Sequence, residues 1–281
     1  MKIAIFGVSG FLGTKLKEEF EKEDHRICGG DLNKDLKFKV DATNSKKVSR
    51  FLNKEKPDFI IDTIGLTSSL ECEKDPKRAL LLNYKTAKNI ALWANKMNIP
   101  LVFMSSSYVF DGLGGDYSEE DSPKPLNEYG KTKVMAEKEV LKLKKGIVIR
   151  VDIMYGFNGF DKPNGVFQKI LKNEEIEINH PEQIRQPVFV DDLPKIILNL
   201  VKNERGIFNI AGPDKVSMIN FMRLLEGAVR DKTLIRETSK KDLVEIPKNS
   251  TLSISKINLL GLKTTSLRQA INSIKNQINS E

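Results

Sequence analysis

The first half of the chain alternates short, unbroken apolar runs with amphipathic stretches, and no other feature narrows its fold as far. The apolar runs are Lys2–Gly7, Arg26–Gly30, Asp58–Thr63, Leu101–Ser105 and Ile147–Val151. They are rich in Ile, Val and Phe and lack the polar alternation of a strand with one wet face. Such strands are buried on both faces, as in a parallel sheet. Between them lie helical stretches at Gly10–Glu23, Ser45–Glu55, Pro76–Met97 and Asn127–Leu143. This alternation implies right-handed crossovers and an α/β fold with a doubly wound parallel sheet.

Asp111–Pro125 breaks the pattern. With three glycines, two prolines and several acids it reads as a long surface loop. After Val151 the alternation weakens. A Gly/Asn-rich segment, Gly156–Gly165, precedes a helix at Val166–Lys172 and a strand at Ile176–Asn179. A helix at Asp191–Asn203, a strand at Gly206–Ile210 and helices at Ser217–Val229 and Ser266–Asn279 complete the reading. The expected organisation is a first domain over residues 1–154, with returning segments at about 187–204, and a smaller C-terminal lobe made mainly of residues 155–281.

Charge and cysteine usage exclude several classes. The net charge is +8. However, the lysines are scattered beside glutamates, as from Lys15 to Glu23 and Lys133 to Lys145, which reads as a solvated face and not a nucleic-acid surface. A basic balance also suits anionic small-molecule ligands. No apolar run reaches the roughly 18 residues of a membrane span. The apolar N-terminus runs into a glycine motif with no cleavage site, so it reads as a strand, and a cytoplasmic location is expected. Cys28 and Cys72 lack metal-ligand spacing and read as core residues; no metal site is expected.

Gly7-Val8-Ser9-Gly10-Phe11-Leu12-Gly13 follows the first strand and opens the first helix. Glycines at such a turn let the backbone approach a pyrophosphate, and the helix N-terminus offers free N–H groups and a positive dipole end. Gly7, Ser9, Gly10, Phe11, Leu12 and Gly13 are therefore the expected cofactor cradle. Asp31 ends the second strand, where an acid can accept from ribose hydroxyls and repel a 2′-phosphate. This favours NAD(H), with NADP(H) as the alternative; Lys34, Asp35 and Lys37 lie close enough to alter the preference.

Tyr129 and Lys133 lie four apart at a helix start, on one face, with Asn127 as the expected cap. A free tyrosine, with a pKa of about 10, is a poor proton carrier at neutral pH. A nearby ammonium is expected to lower that value. Leu101–Ser107 ends in hydroxyls at a strand C-terminus, which in a doubly wound sheet faces the ligand crevice. A serine there can bond a carbonyl oxygen as negative charge grows on it.

These features together resemble the dTDP-4-dehydrorhamnose reductase family, within the extended short-chain dehydrogenase/reductases. The resemblance rests on the Gly7/Gly10/Gly13 turn, the Ser106, Tyr129 and Lys133 set, Ser106–Gly112 (SSYVFDG), Pro125–Lys133 (PLNEYGKTK), Gly206–Gly212 (GIFNIAG), and Pro247–Leu252 running into Ser255-Lys256 and Leu260-Gly261. It covers nearly the whole chain and implies a Rossmann-type, dinucleotide-binding domain over residues 1–154, with a smaller C-terminal substrate-binding lobe over residues 155–281. It implies Ser106 as the carbonyl-binding hydroxyl, Tyr129 as general acid and Lys133 as its activator, the latter two with Ser105 also on the cofactor. It further implies Asp41 and Ala42 near the adenine, Thr63, Ile64 and Gly65 flanking the cofactor, and Asn83 supporting the site from the cofactor side.

The sequence departs from the family at Ser107, where aspartate is usual, at Phe11, where glutamine is common, and at Ser106, often threonine. Residues 185–192 lack the usual Gly-x-Pro-Thr form. Ser107 and Arg185 are the expected substrate contacts, Arg185 toward a diphosphate because a planar guanidinium suits phosphate, or else as a surface arginine. The implied activity is nicotinamide-dependent reduction of a 4-keto sugar nucleotide, dTDP-4-dehydrorhamnose to dTDP-rhamnose. One alternative is a dinucleotide-binding partner protein like the regulatory subunit of methionine adenosyltransferase, which the SSYVFDG segment also resembles. Another is a sugar-nucleotide epimerase; a dehydratase would need an acid pair beside the serine. A homodimer through the helices Pro76–Met97 and Asn127–Leu143 is expected.

Overall fold

A computed structural model describes residues 1–31, 40–228, 235–237 and 244–280. Lys34, Asp35 and Lys37 lie outside the described residues, as does Val229 at the end of one expected helix. The centre is a six-stranded sheet, parallel throughout. Five strands come from the first half: β1 (Lys2–Phe6), β2 (Arg26–Gly30), β3 (Phe59–Asp62), β4 (Leu101–Ser106) and β5 (Gly146–Val151). The sixth, Gly206–Ile210, returns from the second half and pairs with β5, so the sheet extends beyond the expected 187–204 return. The spatial order runs from this sixth strand through β5, β4, β3 and β1 to β2.

Alternation along the strands sorts the core into two layers. Ile3 and Ile5 of β1 face one layer with Leu12, Leu16 and Phe20 of α1 (Phe11–Lys22) and with the helix Leu193–Asn203. Ala4 and Phe6 face the other, with α2 (Ser45–Glu55), α5 (Thr86–Met97) and α6 (Glu128–Val140). Between α2 and α5 lie α3 (Ser69–Lys74) and α4 (Pro76–Ala79). The expected helix over residues 76–97 is one run interrupted by a π-turn at Leu80–Lys85. A third core, including Tyr155, Phe167, Phe189, Phe221, Leu225 and Ile271, holds the C-terminal lobe. Asn127 caps α6 as expected, its Oδ1 accepting from the Gly130 N–H at 3.0 Å.

One buried ionic cluster ties β4, β5 and α6 together. Arg150 on β5 donates from Nε and Nη2 to the two oxygens of Glu137 on α6, at 3.0 and 2.7 Å. Ser105 on β4 donates to the same carboxylate at 2.5 Å. Arg150 and Glu137 are 1% and 2% exposed, so each charge survives burial only because the other answers it. Glu137→Ala is expected to lower unfolding free energy by about 3–5 kcal/mol, because it strands a buried guanidinium. A Glu137→Met/Arg150→Met double variant is expected to recover most of that loss. Urea denaturation of the two variants measures both.

Candidate active site

The glycine turn is built for close approach. Gly7 has φ +84°, a region that favours glycine. A Cβ on Gly13 would lie 2.1 Å from the Gly7 carbonyl oxygen, so α1 can sit this close to β1 only with glycine there. Thr63 at the end of β3 braces the turn, its hydroxyl reaching the Phe6 and Gly7 carbonyls at 2.9 and 3.1 Å. Helix α1 opens without a side-chain cap and without an acid in its first turn. Its N–H groups and dipole are thus available to an anion, and the cradle fits the pyrophosphate of a dinucleotide.

Asp31 stands beside this turn. Its carboxylate accepts from the Ser9 N–H at 3.2 Å and from the Ser9 hydroxyl. Ser9 therefore fixes the acid against the rim of the cradle. Phe11 lines the crevice, with Gly165 packed on its ring, whereas the Leu12 side chain is in the core. Asp41 has a local partner set: Thr43 N–H at 3.0 Å, Thr43 hydroxyl at 2.5 Å, and Lys47 at 3.5 Å. The Thr43 hydroxyl is the main reason its carboxyl lies below the usual range. Ala42 is buried, its carbonyl accepting from Asn89 at 2.9 Å.

The strand order reverses between β1 and β3, and crevices at such a switch point open at the carboxyl ends of the strands. A cavity of about 620 Å³ lies there. It is lined by Ile64 and Gly65 after β3, Ser106 at the end of β4, and Tyr129 and Lys133 on α6. The sequence-predicted hydroxyl, phenol and amine thus meet in one crevice beside the glycine turn.

Burial acts on the two α6 groups with opposite sign. Desolvation pushes the Tyr129 phenol up to about 12, against the smaller downward pull of its hydrogen bond with Ser106. Desolvation pulls the Lys133 ammonium down to about 8, against the nearby Asp62 and Glu137 carboxylates and Cys72. The acidification of Tyr129 expected from its spacing is therefore corrected. Lys133 donates to the Met104 carbonyl at 2.8 Å, and desolvation of the phenolate outweighs nearby positive charge. A phenol with so high a pKa is fully protonated at neutral pH, which suits a proton donor.

Other expected contacts serve the protein itself. The Asn83 amide is spent: Oδ1 accepts from the Leu66 N–H at 2.7 Å, and Nδ2 donates to the Leu66 carbonyl and the Thr132 hydroxyl at 3.2 and 3.1 Å. It pins the loop after β3 to α6, so it positions the crevice and has no donor left for a cofactor. Ser105 lines the crevice, but its hydroxyl is given to Glu137. Ser107 donates to Asp152 at 2.8 Å.

Arg185 is buried, not a surface residue. Its Nε and Nη2 bind the Asp152 carboxylate at 3.0 and 2.7 Å, and its Nη1 reaches Tyr108 and Gln183 at 3.0 and 3.2 Å. Each nitrogen has a protein partner and the charge is answered, so the guanidinium is not an open diphosphate clamp. Asp152, Tyr108, Gln183 and Asp62 escaped the sequence reading. Asp152 was findable, since it follows β5 just as Ser107 follows β4. Asp62 is fully buried, with its carboxyl pushed up to about 6 by desolvation. Among the described residues no cluster suits a metal ion, and no helix is long and apolar enough to cross a membrane.

The chain as a whole is similar to several known proteins. The beta subunit of methionine adenosyltransferase 2 from Rattus norvegicus is 28% identical over 277 residues, covering 93% of this chain and 83% of that protein. The spore coat polysaccharide biosynthesis protein SpsK of Bacillus subtilis is 24% identical, over 96% of this chain and 95% of that one. Among solved structures, dTDP-4-dehydrorhamnose reductase from Bacillus anthracis in complex with NADP matches with a TM-score of 0.87 and 25% identity, covering 98% and 99% of the two chains. The family described as RmlD substrate binding domain matches residues 1–280, and the chain belongs to that family, within the extended short-chain dehydrogenase/reductases.

Proposed function

We propose that this protein reduces a 4-keto sugar nucleotide with NAD(P)H, and that its substrate is dTDP-4-dehydrorhamnose, giving dTDP-rhamnose. The convergence of Ser106, Tyr129 and Lys133 on one crevice beside the glycine turn carries this reading. The Bacillus anthracis relative, a dTDP-4-dehydrorhamnose reductase, supports it.

Gly7, Gly10 and Gly13, with the backbone of Phe11 and Leu12, would hold the pyrophosphate, and Ser9 holds Asp31 at the rim of that cradle; Thr63, Ile64 and Gly65 would flank the nicotinamide half, and Asp41 and Ala42 would lie by the adenine. When bound, the dinucleotide supplies the hydride. Ser106 orients the substrate carbonyl by donating to its oxygen. Tyr129, protonated throughout the physiological range, passes its proton to that oxygen as it becomes an alkoxide. Lys133 stabilises the negative charge with its ammonium form, which persists below about pH 8. Asp31, fixed by Ser9, favours NAD(H), while NADP(H) is the cofactor in the Bacillus anthracis complex. Residues 1–154 and the returning strands serve the dinucleotide, and 155–281 mainly the substrate. The protein acts in the cytoplasm as a homodimer joined through the 76–97 run and α6, where Leu80, Leu81 and Leu92 are exposed.

A second reading is favoured by one observation: curated relatives at 28% identity are named as beta subunits of methionine adenosyltransferase 2. On that reading the crevice binds a dinucleotide and the chain regulates a partner enzyme. Recovery of a stoichiometric partner from native extract, with no turnover of any 4-keto sugar nucleotide, would select it.

On a competent substrate, Tyr129→Phe is expected to cut turnover by about 100-fold or more while leaving dinucleotide binding intact. Single-turnover absorbance and cofactor fluorescence separate the two effects, and full retained turnover removes Tyr129 from its role. The rate is expected to fall as pH rises through about 8, where Lys133 loses its proton. Lys133→Arg should abolish that alkaline limb in a pH profile of kcat/KM. Asp31→Ala should shift the NADH/NADPH preference toward NADPH by about tenfold, because one repulsive carboxylate is removed. Paired KM measurements with the two cofactors read this shift.

A further inference from the structure

We infer that the Tyr108 phenol is a dedicated hydrogen-bond donor of the substrate site and takes a phosphoryl oxygen of the sugar nucleotide's diphosphate. This deepens the reductase reading and rests on it. Gln183 is the starting point, because its amide orientation is fixed from both ends. Its Oε1 accepts from Arg185 Nη1 at 3.2 Å, and a guanidinium only donates. Its Nε2 donates to the Pro247 carbonyl at 2.7 Å, and a carbonyl only accepts. The Nε2 facing Tyr108 Oη at 3.1 Å is therefore a donor too. Arg185 Nη1 reaches the same phenol oxygen at 3.0 Å. Two donors that cannot reverse thus fill the acceptor positions of Tyr108, and the phenol keeps one unspent function, its proton. No acceptor among the described residues takes it.

Tyr108 stands at the junction of two cavities. Tyr108 and Arg185 line both the 620 Å³ crevice and a neighbouring cavity of about 380 Å³. The Tyr108 and Tyr129 rings stand 6.0 Å apart, so a ligand reaching from the Tyr129 hydroxyl into the second cavity passes Tyr108. In a sugar nucleotide, the group between the sugar and the nucleoside is the diphosphate. Arg185 cannot serve it directly, because Asp152 answers its charge. It serves through Tyr108, since a cation donating to the phenol oxygen polarises the O–H into a stronger donor. Lys169, exposed on the wall of the second cavity, supplies the open positive charge that a diphosphate calls for. Arg185 and Gln183 are positioning residues; Tyr108 makes the contact.

Calorimetric titration of dTDP, UDP, thymidine and uridine into the wild-type protein and Tyr108→Phe tests this. The diphosphate that binds wild type is expected to bind Tyr108→Phe about 10- to 100-fold more weakly, the worth of one hydrogen bond to a charged group. Its KM-side counterpart, the sugar nucleotide, should show the same factor, while nucleoside and dinucleotide affinities stay level. Gln183→Glu sets an acceptor against the phenol, draws its proton away, and should match that loss with the tyrosine still in place. Unchanged diphosphate affinity in Tyr108→Phe, or an equal loss for the nucleoside, overturns the inference. Undiminished diphosphate binding in Gln183→Glu overturns the donor role. A wild-type protein that binds neither diphosphate overturns the reductase reading itself, and the inference falls with it.

Discussion

Glu137 and Arg150 face each other in the interior, sealed from water, and the rest of the site is placed by the geometry they demand. Stripping water from two ions costs several kcal/mol each, and only close, two-pronged contact with satisfied lone pairs offsets it. The observed pairing meets that demand at the carboxylate, with two nitrogen–oxygen contacts and a third from Ser105, while Arg150 Nη1 is buried without a hydrogen-bond partner among the described residues. A pair this exacting allows little sliding of α6 over β4 and β5. Ser105 and Ser106 are consecutive on an extended strand, so anchoring the first toward Glu137 turns the second into the crevice. Tyr129 and Lys133 ride on the same helix as Glu137, and their position follows from it.

The desolvated setting then assigns protonation states. A neutral phenol and an amine that keeps its proton only to about pH 8 are both consequences of the same burial, read through groups of opposite charge type. The arrangement holds a proton in reserve on Tyr129 inside the crevice, where the proposed reduction would draw on it. It also puts Lys133 near its titration point at physiological pH, so modest changes around it, such as at Asp62, carry into its charge.

Much of this was legible in the sequence because it rests on local patterns. Unbroken apolar runs marked five sheet strands, glycines marked the one turn where a Cβ would strike the Gly7 carbonyl, and the i, i+4 spacing put Tyr129 and Lys133 on one face. What escaped depends on contacts between distant segments. Nothing near Arg185 in the chain says that Asp152, 33 residues away, will hold its guanidinium. Nothing near Asn83 says that its amide closes on Leu66 and Thr132. The sign of the Tyr129 shift was misread for a related reason: spacing reveals a neighbouring charge but not how completely the phenol is desolvated.

The late return of the sixth strand also shapes how the chain can be made and cut. Until residues 206–210 have been synthesised and docked, β5, the run Gly146–Val151, pairs with β4 alone and is an outer strand with one open edge, fully buried in the finished sheet and apolar along most of its length. Such an edge is a template for pairing with other chains. A fragment ending near residue 154 would carry the whole glycine turn and all three site residues, yet expose that edge permanently. The first half is therefore complete in its crevice side chains well before it is complete as a folded body, and the strand Gly206–Ile210 from the second half closes it.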